Sequence, residues 1–248
     1  MLALTMAAFL NPCSARAASL AGDSLNIYYG SPYINSVTNT TGAIGVSNTF
    51  SITQGSLSVG TGNQTSNSYW VFSLGGGNIF DWGASSGMLG DMNEMTGGYF
   101  NFIVGFFNIM EGQGGGGANL ISGAYNHLED GTSSDWSEAT VLFGENSHAE
   151  AARKCFLTGD YNDISYAIDS AVLGTGLIIG ADVYSRTVVG RYNEGDEEDA
   201  LFVVGNGETN STRANAFTVY SNGDAAVSGV LRVQPSGDIS MGDFTHVP

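Results

Sequence analysis

Positive charge is what this sequence has least of. It carries 7 Lys and Arg against 24 Asp and Glu, a net charge of −17, and Lys154 is its single lysine. Neutralising phosphates takes Lys and Arg in number, so nucleic acid is excluded as a partner and an anionic membrane surface is disfavoured. Charged residues of either sign reach only 12%, which argues for tightly spaced turns and few exposed helical faces. Cysteine is scarce too, with Cys13 and Cys155 alone. Once a leader carrying Cys13 is removed, no intrachain disulfide can form, and Cys155 reads as a small buried hydrophobe. Past the N-terminus no apolar run reaches the roughly 18 residues of a membrane-spanning helix. The three histidines, His127, His148 and His246, fall in no HxH or HExxH pattern and beside no paired cysteine. The expectation is therefore no catalytic residue, no metal, no cofactor and no enzyme. His148 reads as a packed or stacked turn residue.

Glycine, by contrast, is abundant: 36 residues, about twice average usage. Much of it is periodic. Gly30, Gly45, Gly60, Gly75, Gly90 and Gly105 stand 15 residues apart, and after two longer gaps Gly123, Gly144, Gly159, Gly174 and Gly190 resume the series. Three residues after the glycine stands an asparagine: Asn48, Asn63, Asn78, Asn93, Asn108, Asn126, Asn162 and Asn193. Five residues after it stands an apolar side chain such as Phe50, Phe80, Met95, Met110, Leu128 or Ile164. The longer gaps hold polar, Gly/Ser-rich insertions near 113–118 and 129–136, as loops should.

Helical repeats are longer than this and do not place glycine every 15 residues. Two strands of about five residues and two tight turns fill the period, so the chain reads as an all-β solenoid of about 15 residues per coil. Glycine supplies the positive φ of a turn. Stacked asparagines form a ladder, amide to amide.

The strand before each glycine is apolar on both faces. The positions one and three before it, such as Leu57 and Val59 or Phe102 and Val104, are assigned to the interior. The position two before it holds Met88, Ile103, Ile121, Leu142, Leu157, Val172 and Val188 and is assigned outward. An apolar outer column needs a cover, and an identical chain is the simplest one. These seven residues are the expected subunit interface.

"NSHAEA" at 146–151 resembles the SHAEG phrase in the head repeats of trimeric autotransporter adhesins and related phage tail-fibre proteins. Residues 188–229 resemble the segment that closes such arrays. The resemblance implies a left-handed parallel β-roll, a homotrimer with a shared core, and attachment to a host surface protein or glycan. A phage-fibre receptor-binding protein is the alternative it allows. The chain departs from the family in its coil, commonly one residue shorter there, and in placing Phe, Met, Leu and Trp where the family has small residues.

The expected plan is a secretory leader at 1–17, with an apolar stretch at 2–10 and Ala15-Arg16-Ala17 as cleavage site. A β-roll follows at 18–193, then a C-terminal β-hairpin capping module at 194–248. Asn222-Gly223 marks a hairpin turn, and another short hairpin is expected around Pro235–Gly237. The acidic run at 194–199 is a solvated loop in preference to a calcium site. The location expected is secreted or cell surface. Among the tryptophans, Trp70 and Trp82 are assigned to the core by parity, and Trp136, in the longer insertion, is the one candidate binding residue. A β-solenoid carbohydrate-active enzyme is disfavoured by the lack of His, Lys and Arg. An ice-binding solenoid is disfavoured by the lack of a Thr-x-Thr column.

Overall fold

A computed structural model describes residues 15–21, 24–29, 41–51, 53, 55–112, 117–130, 137–180, 183–195 and 199–230. Among them there is no helix, and the chain is a parallel β-solenoid. Ten glycines from Gly45 to Gly190 mark successive turns, all at positive φ, from 99° to 150°. Each coil contributes a five-residue strand ending just past its glycine, such as Gly87–Asp91 or Phe102–Phe106. A short strand of two or three residues follows, such as Glu94–Thr96 or Ile109–Glu111. The long strands stack into a 15-stranded sheet and the short ones into a 9-stranded sheet. Equivalent positions pair without slippage, Gly90 with Gly105, Gly105 with Gly123 and Gly123 with Gly144.

The coil has a third side where the sequence suggested two. A ladder of single bridges runs Tyr69, Ala84, Tyr99, Gly117, Glu138, Arg153, Ile168. Three corners separate the sides, two, seven and ten residues after the glycine. Non-glycine residues occupy them in left-handed conformation, among them Phe107 (φ 53°), Trp82 (φ 57°) and Phe100 (φ 59°). That conformation costs a residue with a Cβ about 1–2 kcal/mol. It recurs because it keeps each corner amide bonded to the coil before: Phe107 N–H to Asp91 O at 3.1 Å, Trp82 N–H to Ser66 O at 3.2 Å, Phe100 N–H to Ala84 O at 3.0 Å.

Glycine and asparagine set the register together. A Cβ on Gly90 would overlap the carbonyl oxygen of Gly105, and the same clash recurs at each glycine of the column. The asparagine side chains lie inside, fully buried. Asn78 Nδ2 donates to Asn63 Oδ1 at 3.1 Å and to Gly90 O at 2.7 Å, and Asn93 Nδ2 repeats the pattern one coil on. A polar column is thereby satisfied in a buried interior. Gly45, Gly60, Gly75, Gly90 and Gly105 with Asn48, Asn63, Asn78, Asn93 and Asn108 are the structural repeat that the spacing predicted.

The direction of the long strands is the reverse of the sequence expectation. Met88, Ile103, Ile121, Leu142, Leu157, Val172 and Val188, assigned to a subunit interface, are buried within the chain's own coil. They form one core with the column that holds Phe80, Met95, Met110, Leu128 and Ile164. In three coils a small residue in one column faces a large one in the other, Ala43 with Phe50, Ser73 with Phe80 and Leu142 with Ala149, whereas Ser58 and Thr65 are both small. The neighbouring positions face outward, with Leu57 41% exposed and Phe72, Leu74, Phe102 and Val104 half-buried. The first coils misled the reading. Ser58 and Ser73 look like outward residues, yet both are buried, and Ser58 Oγ donates to Asn48 Oδ1 at 3.2 Å.

At the C-terminal end Ala200–Asn206 adds one more parallel strand, after which Asn215–Tyr220 and Ala225–Val227 continue the sheet antiparallel. Asn222-Gly223 lies in the turn between them, as expected, with Asp224 N–H bonded to Asn222 Oδ1 at 2.9 Å. Arg213 reaches back over Tyr192 to the carbonyls of Gly176 (2.7 Å) and Asn193 (3.1 Å). Arg186 sits inside the final coil with Nε on Ala200 O at 2.9 Å. The leader expected at 1–17 lies outside the described residues, except for Ala15, Arg16 and Ala17, which begin the first strand. The hairpin around 235–237, His246 and most of the acidic run, 196–198, also lie outside them.

Candidate functional site

Each of the three sides turns different chemistry to solvent. The long sheet carries an apolar wall one and three residues before each glycine: Ile44, Leu57, Val59, Phe72, Leu74, Leu89, Phe102, Val104, Leu120, Val141, Phe143, Phe156, Leu173 and Val189. Gly42, Gly87, Ser122, Thr158, Ala171 and Thr187 interrupt it. At Gly87 the gap is closed from both sides, because the Phe72 and Phe102 rings meet over it at 5.7 Å. From Ile44 to Val189 the wall runs about 43 Å. Phe202 and Val204 prolong it onto the next strand, in register with Thr187 and Val189.

The single-bridge side is aromatic in its N-terminal half. Tyr69, Trp70, Trp82, Tyr99 and Phe100 are all exposed, Trp70 and Trp82 by 67% and 68%. The parity that assigned these tryptophans to the core fails because both stand at left-handed corners, where the strand alternation stops. Tyr69 and Tyr99 are in one column, two coils apart through Ala84, or roughly 9.6 Å. Trp136, the expected binding residue, lies outside the described residues.

The short sheet is mostly polar outside, with Ile79, Ile109 and Ile178 as apolar exceptions, and holds the densest chemistry. His127 and Glu129 lie two residues apart on the strand His127–Glu129, hence on one face. The next coil pairs His148 directly with His127, and the coil after pairs Asp163 with His148. The imidazoles of His127 and His148 lie 5.3 Å apart, tilted 37°. His148 donates from Nε2 to Glu129 Oε1 and from Nδ1 to Asp163 Oδ1, both at 3.0 Å. His127 Nε2 is buried and makes no hydrogen bond, with Glu129 Oε2 at 3.9 Å and Glu111 Oε1 at 4.0 Å. The bond to Asp163 raises the His148 pKa, partial burial pulls it down and the bond to Glu129 raises it again, to about 9 in place of 6.5. His148 thus packs against His127 with the rings tilted, on a strand and in a charged network, where the sequence suggested a turn residue.

His127, Glu129 and His148 present donor atoms that all lie within 4.8 Å of one another. The sequence reading missed this group because it sought linear motifs. The signal lay in the repeat register: both histidines stand four residues after their glycines, Gly123 and Gly144, and Glu129 stands six after Gly123. Cys155 is buried as expected, its thiol between the carbonyls of Arg153 and Ala167 at 3.3 Å, and burial pushes its pKa up.

No protein-family model matches the chain, and no curated protein matches it.

Proposed function

We propose that this chain is a non-enzymatic structural and attachment module, an exported β-roll rod that assembles with two copies of itself. The observation that carries the reading is the apolar wall of the long sheet. A stripe that length on a free surface exceeds what soluble monomers ordinarily leave wet. It follows the coil pitch along the whole rod, so a partner that covers all of it must have the same pitch, and an identical chain has. The interface is then the column of Leu57, Phe72, Phe102, Val104 and Phe156, and not the buried column of Met88 to Val188.

Three copies, the left-handed coil and a surface location follow from the resemblance at 146–151 and 188–229 and from the leader-like N-terminus. The antiparallel strands Asn215–Tyr220 and Ala225–Val227, with Arg213 folded back on the last coils, serve as the cap. The exposed aromatic side suits stacking on sugar rings or partner side chains, and is where a host glycan or surface protein would be met. The resemblance also covers phage tail-fibre proteins, so receptor recognition at a fibre is the second reading. Light scattering on the purified chain tests the assembly. The mass of three chains is expected, and a single chain at micromolar concentration would remove the self-association and the three-chain reading with it.

A further inference from the structure

We propose that His127 Nε2, Glu129 and His148 Nε2 form a binding site for a divalent first-row transition ion, with Zn2+ as the ion that fits best. The donors are two imidazoles and a carboxylate, the set that borderline cations favour over Ca2+ or Mg2+, which take oxygen ligands. In a tetrahedral zinc site the donor atoms stand roughly 3.3 Å apart. Here Glu129 Oε1 lies 3.0 Å from His148 Nε2 and Glu129 Oε2 3.9 Å from His127 Nε2, and one donor atom from each of the three lies within 4.8 Å of the others, near the spacing an ion requires.

Two further observations point to a ligand. His127 Nε2 is buried without a hydrogen-bond partner while aimed into the group. Asp163 accepts from Nδ1 of His148, the outer carboxylate that orients a metal-bound histidine and fixes which nitrogen faces the ion. Glu111, 4.0 Å from His127 Nε2, is placed to supply a fourth donor. The cation takes the place of the proton between His148 Nε2 and Glu129, and that proton goes to the buffer.

The position in the fold gives the site a use. Glu129 and Asp130 are the last described residues before the longer insertion, and His148 belongs to the coil that follows it. An ion held by His127, Glu129 and His148 ties together two coils that the insertion separates along the chain.

Isothermal titration of the metal-free full chain with Zn2+ tests this, with the thermal midpoint and the visible spectrum of the Co2+ form as further readouts. Expected are one ion per chain, a raised midpoint, an intense tetrahedral Co2+ band, and loss of all three in His127→Ala and His148→Ala. Asp163→Asn should weaken binding about 10- to 100-fold, and His246→Ala should change nothing. Circular dichroism checks that the variants keep the β-solenoid. Glu129→Gln, which keeps the side-chain shape, should also weaken binding, and it decides the matter if an alanine variant fails to fold. Binding unchanged in the histidine variants, or no binding by the wild-type chain, would overturn the site.

Discussion

The long and short sheets line the same interior and differ on their outer faces. Inside, both contribute one column of a continuous core, such as Ile103 from the first and Met110 from the second. Outside, the long sheet shows Phe102 and Val104 where the short sheet shows Ile109 and Glu111, and, two coils later, Val141 and Phe143 against His148 and Glu150. The solenoid needs only its inner columns, so each outer face is free to carry a separate task. An apolar exterior suits a permanent contact, and a charged one suits solvent and ions.

The comparison rests first on the glycine column. Gly90→Ala should destabilise by about 3–5 kcal/mol in chemical denaturation, because the new methyl overlaps the Gly105 carbonyl at a positive φ. Gly62→Ala, also at positive φ but with open space around it, should cost only about 1 kcal/mol. Equal effects at the two sites would show that close stacking is not what the column protects. Next comes the ladder. Asn93→Ala removes one of the two donors to the buried Asn78 Oδ1, leaving it the Asn93 backbone N–H, and removes the amide donor to the Gly105 carbonyl and an acceptor of Asn108 Nδ2, and should cost about 1–3 kcal/mol. A variant of Glu94, on the outer face one residue away, should fall within about 0.5 kcal/mol of wild type.

The smallest expected effect is on the charged exterior. With a chelator present, the folded-state His148 pKa of about 9 lies above the unfolded value of 6.5. The contribution is therefore complete below about pH 6.5 and lost as pH rises through about 9. Glu129 and Asp163 are the partners that set this slope, with His127 and Glu111 beside them. The His148 side chain is about a third exposed, so solvent screening keeps the effect small. Thermal midpoints across that range should decline in wild type and stay flatter in His148→Gln. A flat wild-type profile would remove the ion-pair account.

The period, the glycine column and the asparagine ladder were legible in the sequence because each demands one residue type at one spacing. A Cβ has no room at the first, and at the second an amide both donates to the next coil and accepts from it, a part the Ser147 hydroxyl takes in one coil. Inside and outside were not legible. Hydrophobicity marks the interior only where the exterior is polar, and here Val104 and Ile103 are equally apolar. The deciding residues were Ser58 and Ser73, polar yet buried beside the ladder. The corners were hidden because Trp70, Phe100 and Lys154 carry no sequence signature of left-handed backbone. The His127–His148 pairing was hidden by the insertion, which puts two side chains that pack together 21 positions apart in sequence.

The account turns on which face of the long strand is which, and one paired measurement decides it: solution mass and circular dichroism of Val104→Asp and Ile103→Asp. Val104→Asp should keep the β-solenoid spectrum and fall from the mass of three chains to that of one, because a charge on the wall breaks only the contact between chains. Ile103→Asp should lose the folded spectrum, because it places an unpaired carboxylate in the core. The reverse pattern, a folded monomer from Ile103→Asp and an unfolded chain from Val104→Asp, would contradict the account.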